Sequence, residues 1–445
     1  MLLRIGEERR FLLRQVMKAL GICGLMLAAA VVALGGEPWT LERAIRQALA
    51  GNPDARLAQQ RIAAAQAGLE QAKAAFWPQL QFQSSYTVSD NPMQVFGGVL
   101  NQRAYSTDLN FNNVPTVDDL NTRGLVTMPL YAGGKNVALR KAATASADAA
   151  KQDSAAIRNA LGLEVARGFY AVLKTRQFGK AAEAAVKALE GSLTVAKKRL
   201  EAGSLLKSGV LDIEVRLAQA REELVRARNA NALALRALRN LLGIESGGFD
   251  VADSAPAMAS PESGDFSSRA ELAAARHRER AAEQHVQAAK GHYLPRVSAF
   301  GSADYDYGWK YDHGGDSYTG GALLQWDLWD GKLTKAKVAE ANANLAAARE
   351  EVRKVKLALD LEVEQARLEL MAANERLSVT EQAVAQAAES ESITRARFEQ
   401  EQALATDVID SEAALLSARV RRAEAEADQR IAVAAVRKAL GLPQL

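Results

Sequence analysis

Leu130-Tyr131-Ala132-Gly133-Gly134-Lys135 and Leu328-Trp329-Asp330-Gly331-Lys332 are one turn written twice, 198 positions apart. The same offset carries Glu164-Val165-Ala166 onto Glu362-Val363-Glu364, Arg199-Leu200-Glu201 onto Arg397-Phe398-Glu399, and Leu211-Asp212 onto Ile409-Asp410. It also carries Leu242-Gly243-Ile244 onto Leu440-Gly441-Leu442. A single offset held without a gap over this length is a tandem duplication, and it decides the architecture before any one residue does. Upstream, Pro78 pairs with Pro295 at an offset of 217, so the first copy carries a loop 19 residues longer ahead of its glycine turn. The copies are read as residues 36–246 and 269–445, joined by the linker 247–268.

Within each copy, helical and strand patterns alternate. Leu161, Val165, Gly168, Val172, Thr175, Gly179, Ala182, Val186 and Leu189 step by three and four, and Leu359, Val363, Ala366, Leu370, Ala373, Leu377 and Thr380 repeat that register. A sustained period of 3.5 residues predicts left-handed coiled-coil packing, and the small knobs predict closely approaching helices. No proline lies between Pro129 and Pro256, nor between Pro295 and Pro443, so nothing interrupts these helices. The predicted helices are 41–76, 135–200 and 211–242 in the first copy, and 269–292, 332–398 and 407–440 in the second. A helix over 135–200 would run about 100 Å at ~1.5 Å per residue.

Short alternating runs separate the helices. Leu80, Phe82, Ser84, Tyr86 and Val88 share one face, as do Val297, Ala299, Gly301, Ala303, Tyr305 and Tyr307, and so do Tyr318, Gly320, Ala322 and Leu324. Strands are predicted at about 79–89, 122–131, 296–307 and 317–329, each the length of a membrane-crossing strand. Trp77, Tyr131, Trp326 and Trp329 stand at their ends, like an aromatic girdle. Four strands leave two open edges, which hydrocarbon does not tolerate. About eight strands are needed for the smallest closed barrel, and its interior is filled by side chains. Three copies give twelve strands, the first multiple with an open bore. The expected fold class is mainly α with a small β part: long antiparallel coiled-coil helices in an α-barrel, plus four transmembrane strands per chain in a homotrimer.

Composition agrees with that reading. Hydrophobic residues are 48% but aromatics only 6%, with 10 prolines in 445 residues, which suits long alanine-rich helices rather than a sandwich or an α/β enzyme. Mean hydropathy of −0.15 is too low for a polytopic helical membrane protein. The single cysteine, Cys23, excludes a disulfide framework and a cysteine zinc site. Net charge is +3, but the first 35 residues account for it, which leaves no basic patch for nucleic acid. Those residues end a basic stretch at Lys18, continue through the apolar run Ala19–Leu34 and offer Ala33-Leu34-Gly35 as a cleavage site. The run is shorter than the ~20 residues of a spanning helix, so 1–35 is expected to be a signal peptide, with Cys23 lost alongside it.

Leu41-Glu42-Arg43-Ala44 through Asn52-Pro53, Phe76-Trp77-Pro78-Gln79-Leu80, Pro129 through Gly134, and Thr406-Asp407-Val408-Ile409-Asp410 follow one another in an order that resembles the TolC family of outer-membrane efflux and secretion channels. The resemblance spans essentially the whole chain after residue 35 and includes both repeats. It implies a trimeric twelve-stranded barrel in the outer membrane, in contact with its lipid and continued by a twelve-helix tunnel across the periplasm. It also implies a passive conduit rather than an enzyme, gated at its periplasmic tip and using no cofactor. Its implied partners are a periplasmic adaptor (membrane fusion) protein and an inner-membrane efflux pump or type I secretion transporter. The alternative is a periplasmic adaptor or coiled-coil scaffold protein of an export system, although adaptors usually carry one hairpin in compact β-domains and not a duplication.

Asp407 and Asp410 lie three apart at a helix start, so both carboxylates project from one side. Three copies would stack them into two acidic rings, which attract cations and set selectivity at a constriction. An aspartate at that position can equally cap the helix. The hairpin ends, with Gly203, Lys207, Ser208, Gly209 and Asp212 in one copy and Ala405 and Thr406 in the other, are expected to dock the adaptor. The family's aperture tyrosine and arginine fall at Phe398 and Ala403, and Gly209 stands where it has a partnering aspartate, so its inter-protomer lock is not carried over. His277, His285, His292 and His313 are too widely spaced for one metal site. No Walker, GxGxxG or HExxH motif occurs, so ATP, dinucleotide and zinc-hydrolase readings have no support.

Overall fold

Asn52-Pro53 splits the first helical stretch. The ring of a proline bars its predecessor from helical backbone, and Asn52 adopts extended φ −66°, ψ 135°. Its buried side chain caps the second piece, because Oδ1 accepts the Asp54 N–H at 2.7 Å, while Nδ2 donates to the Leu241 carbonyl at 2.8 Å and ties the break to the end of a helix distant in sequence. A computed structural model describes residues 38–110, 112–253, 259, 261 and 264–444. The expected signal peptide with Cys23, and part of the linker, lie outside the described residues.

The elements are α1 (Leu41–Gly51), α2 (Pro53–Ala74), β1 (Gln79–Ser89), α3 (Pro92–Asn101), β2 (Val117–Ala132), α4 (Lys135–Glu201), α5 (Lys207–Leu241), α6 (Ala270–Lys290), β3 (Arg296–Gly308), β4 (His313–Gln325), α7 (Leu333–Glu399) and α8 (Ala405–Ala439). The stretch expected as one helix over 41–76 is therefore two. α5 and α8 begin at Lys207 and Ala405, ahead of the predicted 211 and 407. α3 was not expected at all; it lies in the long loop of the first copy. The duplication persists in detail: α4 and α7 have 67 residues each, and α5 and α8 have 35 each.

The chain forms two compact units. One contains residues 38–57, 156–269 and 359–444 within the described range. Its main core gathers Leu41, Ala44, Ile45 and Ala48, spaced by three and four along α1, with Leu161, Val165, Phe169 and Val172 of α4. Leu238 of α5, Leu242 just beyond it, and Ala427 and Ala434 of α8 complete that core. The carboxyl ends of α5 and α8 are both closed by left-handed glycines, Gly243 (φ 70°) and Gly441 (φ 72°). A Cβ on Gly243 would lie 2.4 Å from the Gly51 carbonyl oxygen, so only glycine fits there. Buried Arg269 donates to the Lys438 and Ala439 carbonyls at 2.9 and 3.0 Å, a cation placed on the negative end of α8.

The second unit, residues 58–155 and 270–358, holds a four-stranded antiparallel sheet in the order β1-β2-β3-β4. β2 starts at Val117, earlier than expected, and β4 covers 313–325 rather than 317–329. The shift follows from the hairpin: pairing opens at Gly308↔His313, with Asp312 left-handed (φ 50°) in the turn. At the other end Trp326 leaves the ladder, and its indole N–H donates to the Tyr293 carbonyl at 3.0 Å.

The register gives this sheet two chemically distinct faces. Leu80, Phe82 and Tyr86 stand opposite Val126, Gly124 and Leu120; these continue to Gly301, Ala303 and Tyr307, and then to Gly320, Tyr318 and Gly314. The other face carries Gln79, Gln81 and Gln83, then Thr127, Leu125 and Arg123, then Phe300, Ser302 and Asp304, with Asp306 opposite Asn121. On that face Arg123 pairs with Asp304, and Asn121 donates to Asp306 at 2.9 Å. Trp77, Tyr131, Trp326 and Trp329 at one end of the strands are exposed. A second aromatic group stands at the opposite end, where Trp309 meets Tyr86 and Tyr307 edge-on, with centroids 5.6 and 5.3 Å apart. Neither β1 nor β4 has a second neighbour among the described strands. No described helix is long and apolar enough to cross a membrane.

Candidate functional site

α4 and α7 end in the same way. After α4, the Ser204 N–H reaches back to the Arg199 carbonyl (2.8 Å) and the Gly203 N–H to Leu200 (3.0 Å). After α7, the Gln402 N–H reaches Arg397 (2.7 Å) and the Glu401 N–H reaches Phe398 (3.2 Å). Both are Schellman closures, which need a left-handed residue. The first copy uses Gly203 (φ 75°); the second uses Glu401 (φ 67°), which has a side chain and so bears the strain of that conformation.

Side chains from the first hairpin hold Glu401 of the second in place. Ser204 donates its hydroxyl to Glu401 Oε1 at 2.7 Å, and Arg199 Nε lies 4.0 Å from the same oxygen. Arg199 also donates to the Phe398 carbonyl at 3.0 Å and to the Ser204 carbonyl at 3.2 Å. Beneath the clasp, Phe398, Val210, Ile213, Ala405, Val408 and Ala196 form a small apolar core, with Phe398 0% exposed.

The sequence-predicted residues fall unevenly around this core. Asp407 and Asp410 are both exposed, and the Asp407 carboxylate accepts the Leu404 N–H at 2.9 Å, so it caps α8. Lys207, Ser208, Asp212, Thr406 and Gly203 are exposed. Ala405 is not: at 5% exposure it belongs to the apolar core, because the first turn of α8 turns its small residue inward. It is corrected from a docking contact to a packing residue. Gly209 is half-buried, and a Cβ there would meet Leu205 Cδ1 at 3.3 Å and Ala405 Cβ at 3.5 Å. A larger side chain there would have to displace the Leu205 side chain of the same hairpin, while Ala405 of the other hairpin already stands at contact distance. Phe398 is likewise buried, so no aperture contact is open to it. Among the described residues no group of three His, Cys, Asp or Glu side chains could hold a metal ion.

Two turns into α8 lies a feature that sequence reasoning missed. Glu412, 4% exposed on its side chain, and Glu391 of α7, 11% exposed, both pair with Arg395. Burial, then a hydrogen bond with Glu391, pushes the Glu412 carboxyl up to about 7 against the pull of Arg395. Glu391 and Arg395 form an i,i+4 pair on α7, but Glu412 lies 17 and 21 positions beyond them on another helix, and no local motif joins it to that pair. The Glu401 clasp did leave a signal: the repeat offset sets a glutamate opposite the turn glycine Gly203.

The family model described as "Outer membrane efflux protein" matches residues 44–244 and 266–442, one segment for each repeat. The chain belongs to this outer membrane efflux protein family, whose members are passive channels and not enzymes. Its fold is shared with the outer membrane protein VceC from Vibrio cholerae (TM-score 0.76, 23% identity, 91% of this chain and 97% of that one). The channel-forming CusC (TM-score 0.78, 18% identity, 91% and 92%) is similar, as is the open state of the Neisseria gonorrhoeae MtrE outer membrane channel (TM-score 0.72, 15% identity, 90% and 89%). No curated protein sequence matches the chain at a significant level.

Proposed function

We propose that three copies of this chain close a twelve-stranded barrel in the outer membrane and continue it as a helical conduit. Substrates delivered by an inner-membrane pump or secretion transporter would pass through it passively. The observation that carries this reading is the sheet, which has one apolar face, one polar face and two unpaired edges. An apolar band outside and a polar lumen inside are what a transmembrane barrel requires, and the open edges find partners only in other copies. The helices support the same assembly. Leu211, Val215, Val225 and Leu233 of α5 are exposed along one side, as are Leu361, Leu368, Val379 and Ile393 of α7. Seams of large apolar residues at coiled-coil spacing need a neighbouring helix.

In this reading residues 1–35 direct export and are removed, and the two repeats supply alternate walls of the tunnel. The hairpin ends form the periplasmic gate, with Asp407 and Asp410 at its constriction. A periplasmic adaptor docks on the exposed Lys207, Ser208, Asp212 and Thr406. The test is fractionation with heat-modifiable migration: the protein should stay with outer membranes after a carbonate wash and migrate unheated as a larger species than the boiled single chain. Recovery from the soluble periplasm would overturn the channel reading in favour of an adaptor or scaffold.

A further inference from the structure

α3 packs against β2, β3 and β4, and the contacts of its carboxyl end fall on the terminal residues of those strands, Asp118 and Asp119 of β2, Gly308 of β3 and Gly315 and Asp316 of β4. The face it occupies is the polar one. Gln102, which ends α3 and is 0% exposed, donates to the Asp118 carbonyl at 2.7 Å and to the Asp119 carboxylate at 2.9 Å. Gly308 follows Asp304 and Asp306 on the same side of β3, and Gly315 stands opposite Asp306. A Cβ on Gly308 would lie 2.2 Å from Gln102 Oε1, and one on Gly315 would lie 2.1 Å from the Asn101 carbonyl oxygen. Both glycines therefore make room for the end of α3 against that face. By connectivity this is the strand end remote from α2 and α4, because β1 leaves α2 and runs toward α3.

The helix has two sides. Val95 and Val99 are buried against Val117, Ala104, Leu109, Val114 and Tyr311. On the opposite side Met93, Phe96 and Leu100, spaced by three and four, are exposed. Asn91 caps the helix through its side-chain oxygen, with Pro92 at the first position, so the element is locally specified.

We propose that Met93, Phe96 and Leu100 of three copies meet around the barrel axis and form an apolar lid across the outer mouth. This rests on the trimeric barrel reading above. Closing the barrel between β1 of one copy and β4 of the next turns the polar face inward. The stripe sits on the lumen side of a helix already on that face, so in the assembly it faces the same stripe of its neighbours. A helix with its side chains is about 10 Å across, so three of them narrow the bore from three directions. The lid continues the interface that closes the sheet, and it is independent of the gate at the helical hairpins.

Full-length Phe96→Cys protein, purified in mild detergent, tests the lid by oxidative crosslinking. Linked chains between copies are expected, with none for Val95→Cys, whose side chain faces the inner cluster. The triple substitution Met93→Ser, Phe96→Ser, Leu100→Ser should raise single-channel conductance severalfold. An intact trimer without Phe96→Cys crosslinks and with unchanged conductance would overturn the lid and leave the barrel reading standing. Quenching by lipid-borne nitroxides of a fluorophore attached to the Phe96→Cys thiol would assign the stripe to the bilayer and overturn the lid as well. Absence of a trimer would overturn both.

Discussion

Arg199 of the first repeat lies over the ring of Phe398 in the second, 4.9 Å from its centroid, and donates to the Phe398 carbonyl oxygen at 3.0 Å. One guanidinium thus ties the end of one helical hairpin to the end of the other within a single chain. The Arg199 side chain is only 12% exposed, so solvent screens these contacts little. Arg199→Ala should lower stability by about 1–3 kcal/mol, the cost of leaving buried partners of a charged donor unpaired. Arg199→Lys should recover only part of that, because an ammonium cannot span both carbonyls as the guanidinium does. Thermal melting of the solubilised protein, read alongside limited proteolysis at 201–206 and 400–404, checks this.

Ser204 and Glu401 are coupled through the left-handed turn. Glu401→Gly removes a strain of roughly 1 kcal/mol but loses the Ser204 hydrogen bond, so its net effect should be small. In a Ser204→Ala background the bond is already gone, and the same substitution should then stabilise. A double-mutant cycle measures this directly. Additive effects would mean that the bond contributes nothing to holding the turn.

The Glu391–Arg395–Glu412 cluster makes stability depend on pH. With Glu412 raised to about 7 when folded, the folded chain alone keeps that proton between the ordinary carboxylate range and about 7. Stability should therefore decline as pH rises through that window and level off above it. Glu412→Gln, which mimics the protonated form, should flatten the slope. Melting temperatures from pH 4 to 9 for both proteins would show this, and an unchanged slope would exclude Glu412 as its source.

Asp407 has two separable roles. Asp407→Ala removes the cap on α8 and should cost about 0.5–2 kcal/mol, whereas Asp410→Ala should cost little. Asp407→Asn keeps an acceptor for the Leu404 N–H but discards the charge. The pair Asp407→Asn with Asp410→Asn should leave melting nearly unchanged while weakening cation preference and block by multivalent cations in planar bilayers. Wild-type selectivity in that variant would move the constriction elsewhere.

The architecture was largely legible in the sequence because it rests on periodicities. The 198-residue offset revealed the duplication, the 3.5-residue period the long helices, and alternation the strands whose apolar residues share one face. The stretch 41–76 reads as one helix, but Asn52-Pro53 divides it in two, because proline disfavours helical backbone at Asn52 while the asparagine side chain caps α2. The hairpin ends were legible only by position. Ala405 looked exposed because it sits at a tip, but its burial depends on the other hairpin, from a segment nearly 200 residues away. Arg199, Ser204 and Glu412 act through contacts between helices distant in sequence, and no spacing encodes such contacts. α3 escaped notice because ten residues in a long loop give too short a period to stand out.

The central claim is that four strands per chain close only as twelve. Native mass spectrometry of the processed protein released from mild detergent measures this most directly. A mass of three chains is expected, lost together with heat-modifiable migration on boiling. A mass of one or two chains under conditions that preserve the barrel would contradict it.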